Sequence, residues 1–253
     1  MTAPQHPHES AGGGPSRPGG GRGRAVSATP SSGSDVEDVE PTLRTLAGDP
    51  LNRSPEVEAF FGDSYGRVRS FAELLADQGI LRGLIGPREL TRVWERHILN
   101  SAALEPFLPE GLLADVGSGA GLPGMVLAAM DPNRQVVLIE PMERRTAWLF
   151  EAAEATGINN VTVVRGRAEE VTDVVEADVI TARAVAPIDK LVKWCAPLLA
   201  PTGQMVFLKG RSALEELERA KYVLRKHGLQ GAVHSAPSIA GVDATTVVTL
   251  TRS

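Results

Sequence analysis

Residues 114–124 read ADVGSGAGLPG, with glycines at 117, 119, 121 and 124 behind an apolar run and one aspartate, Asp115. Such a loop brings bare backbone N–H groups close to a partner, because a Cβ at those positions would clash. It joins LLADV (112–116), a run of strand length, to a helical stretch from Leu122 to Met130. In an open α/β sheet, ligands bind at this kind of joint, outside the carboxyl ends of the strands.

Downstream the pattern repeats. QVVLIE (135–140), VTVV (161–164), ADVITA (177–182) and QMVFLK (204–209) alternate with helical stretches at 143–156, 188–199 and 213–227. Strands alternating with helices predict a Rossmann-like α/β fold, its parallel sheet covered on both faces. TTVVTLTRS (245–253) predicts a last strand, antiparallel at the sheet edge. Upstream the period becomes helical. Ser54-Pro55 is a helix start, with Glu56 and Glu58 in the first turn. Further helices are expected at 68–78 and, after Gly86-Pro87, at 88–103. The sequence thus divides into an N-terminal helical extension (46–108) and a sheet domain (109–253). Residues 1–45 are dense in Gly, Pro and Ser, with almost nothing to bury, and are expected to be a disordered tail.

The bulk numbers exclude some classes. A net charge of −5 on 253 residues excludes holding nucleic acid by global charge, but leaves room for a local basic patch. The single cysteine, Cys195, excludes an intramolecular disulfide and fits a reducing compartment. It reads as a small buried residue beside Trp194 and Pro197. No apolar run approaches the roughly 20 residues of a membrane helix, and the N-terminus lacks a signal peptide's apolar segment. A cytoplasmic protein without membrane attachment is expected. His227 and His234 have no partners at ligand spacing, so no metal site is expected.

The glycine loop has two readings. From Gly119, GAGLPG satisfies the G-x-G-x-x-G dinucleotide fingerprint. From Gly117, the letters give G-x-G-x-G behind Asp115, the form that binds S-adenosyl-L-methionine. Glu140 ends the second strand 21 residues after Gly119 and suits ribose hydroxyls in either case. A carboxylate at the tip of the first strand repels a pyrophosphate and suits a cationic sulfonium cofactor. In GRAEE (166–170), Ala168 permits close approach of an adenine and Glu169 offers hydrogen-bonding groups. A hydride-transfer enzyme needs a proton donor near its substrate, but the only tyrosines, Tyr65 and Tyr222, fall in expected helices away from the strand ends. These features favour S-adenosyl-L-methionine; a nicotinamide-dependent oxidoreductase is the alternative.

Five motifs stand together at specific spacings: RHILNS (96–101), DVGSGAGLPG (115–124), GRAEE (166–170), ITARAVAP (180–187) and FLKG (207–210). From about Leu51 to the C-terminus the chain resembles the RsmG (GidB) family, bacterial 16S rRNA guanine-N7 methyltransferases. The resemblance implies an S-adenosyl-L-methionine methyltransferase sheet with an N-terminal helical extension. It implies 16S rRNA as the partner, free or within a small-subunit particle, and a monomer is expected. Carried over by motif, Gly117, Gly119 and Leu122 would line the methionine and ribose part of the cofactor, Glu140 the ribose, and Ala168 and Glu169 the adenine. Arg183 would face both cofactor and base, and Lys209 would help position the substrate. Glu140 and Asn100 stand where many relatives carry Asp.

Guanine N7 carries no proton at neutral pH, so this chemistry needs no general base and no catalytic dyad is expected. Arg88, Arg92 and Arg96, spaced by four, would share one face of the third helix. Arg144-Arg145, Arg165-Arg167 and Lys209-Arg211 cluster near strand ends. This basic character motivates a second alternative, a non-catalytic RNA-binding assembly factor. His97 reads as a packed side chain joining the helical unit to the sheet. For Arg183 the structural alternative is an ion pair with Asp115 or Glu140.

Overall fold

The computed structural model of the chain describes residues 46–252; the stretch 1–45, expected as a tail, lies outside the described residues. The apolar runs become strands β1 (Leu113–Val116), β2 (Val136–Glu140), β3 (Val161–Arg165), β4 (Ala177–Arg183) and β5 (Leu199–Lys209). Leu229–Ser235 and Thr246–Arg252 add β6 and β7. All seven form one sheet in the order β3-β2-β1-β4-β5-β7-β6. β1 to β5 are parallel, while β7 runs antiparallel to both β5 and β6. β1 and β2 are buried along their whole length, which is why they read as apolar runs interrupted only by Asp115 and Glu140. The chain moves outward from β1 to β3, then returns to lay β4 on the other side of β1. That reversal opens a crevice at the carboxyl ends of β1 and β4.

Among the described residues, seven α-helices accompany the sheet: α1 (Pro55–Phe61), α2 (Tyr65–Gln78), α3 (Asn100–Ala102), α4 (Gly124–Met130), α5 (Glu143–Thr156), α6 (Ile188–Cys195) and α7 (Ala213–Lys226). Ser54 caps α1, its Oγ accepting from Val57 N at 3.4 Å. Leu113, Leu138, Val179 and Val206 on one sheet face pack with α4, α5 and the N-terminal helices, through Phe71, Leu75, Trp94 and Ile98. Each such side chain, fully buried, contributes about 1.5–3 kcal/mol, so the helices of residues 55–102 share one core with the sheet. On the other face, Ala114, Ile180 and Phe207 meet α6 and α7 through Leu191, Leu217 and Leu224. Cys195 is buried there, as expected, and burial pushes its thiol up to about 12. No helix among the described residues is long and apolar enough to cross a membrane.

Three expectations need correction. The helix expected over 88–103 is not one α-helix. Pro87–Arg92 is 3₁₀, Trp94–Leu99 is a π-helical turn, and only α3 is α-helical. The spacing of four therefore does not place Arg88, Arg92 and Arg96 on one helical face. β5 begins five residues earlier than QMVFLK, with its pairing to β4 shifting between Ala177 and Val179. β6 was not expected at all.

Candidate active site

The loop between β1 and α4 is held open by glycines. Gly117, Gly119 and Gly121 have φ of 73°, 54° and 95°. A Cβ at Gly117 would lie 2.7 Å from Val185 Cγ2, across the crevice. Neighbouring groups fix the loop from outside. Gly119 N donates to Glu140 Oε2 and Met142 N to Glu140 Oε1, each at 3.0 Å. Trp148 Nε1 donates to Ala120 O at 3.0 Å. Glu140, at the tip of β2, thus ties the glycine loop to the start of α5.

Asp115 does something other than its sequence position suggests. It is fully buried and accepts from Gly124 N through Oδ2 at 3.0 Å. Its carboxyl organises the first turn of α4 and does not line the crevice, so it does not face a bound cation directly. Oδ1, and Thr181 Oγ1 on the residue paired with it in register, are buried without hydrogen bonds. Burial pushes the carboxyl up to about 7, against the opposing bond from Gly124.

Around the loop lies a cavity of about 580 Å³, within the range of small-molecule sites. Gly117, Gly119, Leu122, Glu140, Ala168, Glu169 and Arg183 all line it, so the structure brings together the cofactor residues expected from the motifs. Met142, Arg145, Val185 and Trp194 line it as well and were not expected there: Val185 lies within ITARAVAP and Arg145 in the pair Arg144-Arg145, but neither was assigned to this cavity. The shape suits S-adenosyl-L-methionine: a glycine cradle that a Cβ at 117 would fill, the Glu140 carboxylate, and a small Ala168 beside Glu169.

Arg183 ends β4 and forms part of the wall of a second, more polar cavity of about 840 Å³. It pairs with neither Asp115 nor Glu140. Nη1 donates to Arg96 O at 2.8 Å and to Asn100 Oδ1 at 3.4 Å, and Nη2 meets His97 Nδ1 at 2.9 Å. The π-helical turn presents both the Arg96 carbonyl and the His97 ring to β4. Burial, then the Arg183 charge, pull the His97 pKa down to about 4. His97 is therefore neutral near pH 7 and its Nδ1 accepts from Arg183. His97 packs between the helical unit and the sheet, as expected. The next residue, Ala184, has φ 55° and, like Arg183 and Val185, faces both cavities.

Lys209 lines only the second cavity. Its Nζ donates to Glu216 Oε2 at 2.8 Å and to Ala186 O at 2.7 Å. This ammonium is neither solvated nor presented to a phosphate; it pins the loop after β4 to α7. Tyr222 and Lys226 stand at the Tyr-x-x-x-Lys spacing found in some hydride-transfer enzymes. Tyr222 is exposed on α7, however, and lines neither cavity.

Comparison with known proteins agrees with this geometry. The family model GidB, described as rRNA small subunit methyltransferase G, matches residues 65–240. A protein of Streptomyces coelicolor named Ribosomal RNA small subunit methyltransferase G is 53% identical over 172 residues, 67% of this chain and 72% of that one. One of the same name from Salinispora tropica is 45% identical over 237 residues, 90% of each chain. A solved SAM-dependent methyltransferase from Aquifex aeolicus shares the fold, with TM-score 0.50 and 18% identity over 69% of this chain and 98% of that one. The dinucleotide reading of the glycines finds no support in these matches. The chain belongs to the rRNA small subunit methyltransferase G (GidB) family.

Proposed function

We infer that the chain transfers the methyl group of S-adenosyl-L-methionine to N7 of a guanine in small-subunit 16S rRNA. The observation that carries this reading is the wall Arg183–Val185, which separates a glycine-cradled cavity from a larger polar one in a chain of this family. The cofactor, when bound, supplies a sulfonium methyl as electrophile. Gly117, Gly119 and Leu122 would hold its methionine and ribose part, while Ala168 and Glu169 would hold the adenine. Both Glu140 oxygens already accept from backbone amides, and their remaining lone pairs serve the ribose hydroxyls.

Guanine N7 attacks through an in-plane lone pair that carries no proton, so no residue has to remove one. The chain's contribution is alignment and the exclusion of water, and alignment is worth roughly 7–11 kcal/mol in favourable cases. Arg183 is suited to orient the base. Of its five N–H groups, three are taken by Arg96, Asn100 and His97, leaving two for an acceptor such as guanine O6. Lys209 acts at one remove, by holding the loop that follows Arg183.

The protein acts in the cytoplasm as a monomer. With a net charge of −5, few cations border the second cavity (Arg92, Arg96, Arg183, Lys209 and Arg211), and this supports a partly assembled small-subunit particle as substrate. The test incubates the protein with labelled S-adenosyl-L-methionine and small-subunit particles from cells lacking it. Nucleoside digestion is expected to yield labelled 7-methylguanosine. Label at any other atom, or NAD binding without S-adenosylhomocysteine binding, would falsify the assignment.

A further inference from the structure

The second cavity contains a group suited to read the base, an inference that rests on the guanine-N7 reading above. Guanine carries N7 and O6 on one edge, while N1–H and the 2-amino group lie across the ring system. With N7 turned to the wall Arg183–Val185, where the cavities meet, the donor edge points into the second cavity. Two adjacent N–H donors suit one carboxylate, which accepts at both oxygens.

Four carboxylates line this cavity: Glu89, Glu95, Glu216 and Asp243. Three are already engaged. Glu89 Oε2 accepts from Gly86 N at 2.7 Å, and Oε1 lies 3.4 Å from His97 Nε2. Glu95 is paired with Arg92. Glu216 accepts from Lys209, Ser212 and Ile188 N. Asp243 has no hydrogen bond or ion pair among the described residues. It sits in the loop between β6 and β7, exposed. Two residues on, Thr245 Oγ1 accepts from Asn100 Nδ2 at 2.9 Å, which ties this loop to the segment that holds Arg183.

We propose that Asp243 is a specificity-determining residue, its carboxylate accepting N1–H and the 2-amino group of the target guanine in the second cavity. Adenine offers an acceptor at N1 and no 2-amino group, so it meets a carboxylate it cannot satisfy.

The test compares wild type and Asp243→Ala on small-subunit particles whose rRNA carries either guanosine or inosine at the methylated position. Inosine keeps N7, O6 and N1–H but lacks the 2-amino group. Loss of one hydrogen bond to a charged group is expected to lower wild-type kcat/KM about 10- to 100-fold on inosine. Asp243→Ala is expected to lose at least as much on guanosine and then to show no further loss on inosine, with S-adenosylhomocysteine affinity unchanged. Should Asp243→Ala disturb the loop, seen as weakened S-adenosylhomocysteine binding, Asp243→Leu keeps comparable bulk without an acceptor and carries the same comparison. A variant as sensitive to inosine as wild type overturns the proposal. A wild type that methylates guanine but ignores the missing amino group overturns only the role of Asp243. A wild type that methylates no RNA overturns the underlying reading and this role with it.

Discussion

At Asp115 and His97, burial has opposite consequences for the dependence of stability on pH. Asp115 is raised from 3.8 to about 7, so the folded chain holds its proton where the unfolded chain has lost it. Its stabilising contribution is full below about pH 4 and is lost as pH rises through 7. His97 is lowered from 6.5 to about 4, so its contribution is full above about pH 6.5 and is lost as pH falls through 4. Between pH 4 and 6.5 the two slopes oppose each other. Relative to wild type, Asp115→Asn is expected to make stability rise more steeply with pH across that window. His97→Gln is expected to make it fall, each by on the order of a few kcal/mol over the range. Melting temperatures of the three proteins from pH 4 to 8 check this; parallel curves would show that neither group titrates in the fold. The residue scale is also where the sequence was least legible. The motifs located residues that line the first cavity, because glycine and alanine at fixed spacing report close backbone approach. They did not reveal which way charges point. Asp115 turns toward the Gly124 amide, and Lys209 turns to Glu216, since a polar group near the core takes the partner that burial demands.

Among the elements, the parallel strands and α5 to α7 were readable because periodicity and burial agree in them. β6 was not. Its residues LQGAVHS are mostly exposed or half-buried, as suits an edge strand, and its glycine resembles a chain breaker. A Cβ at Gly231 would lie 2.5 Å from Leu217 Cδ1 and 2.7 Å from Leu250 Cδ2, so that glycine serves the close packing of α7. The π-helical turn Trp94–Leu99 was equally hidden, because its extra residue per turn leaves no mark in an apolar pattern. Its value lies in the carbonyl of Arg96 and the ring of His97, both offered to Arg183. A lysine cannot span three acceptors as a planar guanidinium does. Arg183→Lys is therefore expected to destabilise the fold by about 1–3 kcal/mol, a drop of several degrees in Tm. An unchanged Tm would mean that the turn and β4 are held together without this side chain.

For the whole molecule, the reversal of strand order between β1 and β4 places both cavities at one end of the sheet. The N-terminal helices supply the far side of the second. Held there as proposed, RNA would meet few cations. Arg96 and Arg211 border the second cavity without an ion pair among the described residues, whereas Arg92 and Lys209 are paired. Arg211→Gln is expected to weaken RNA binding and to flatten the log–log dependence of affinity on salt by about one unit. Binding measured from 50 to 300 mM salt decides this, and an unaltered slope would place Arg211 away from the phosphates. The backbone from Arg183 to Val185 faces both chambers at once. An occupant that shifts this partition alters the other ligand's hold by some factor. Thermodynamic reciprocity requires that factor to be equal in both directions, so the tightening or loosening that RNA imposes on the methyl donor is returned to RNA in the same measure.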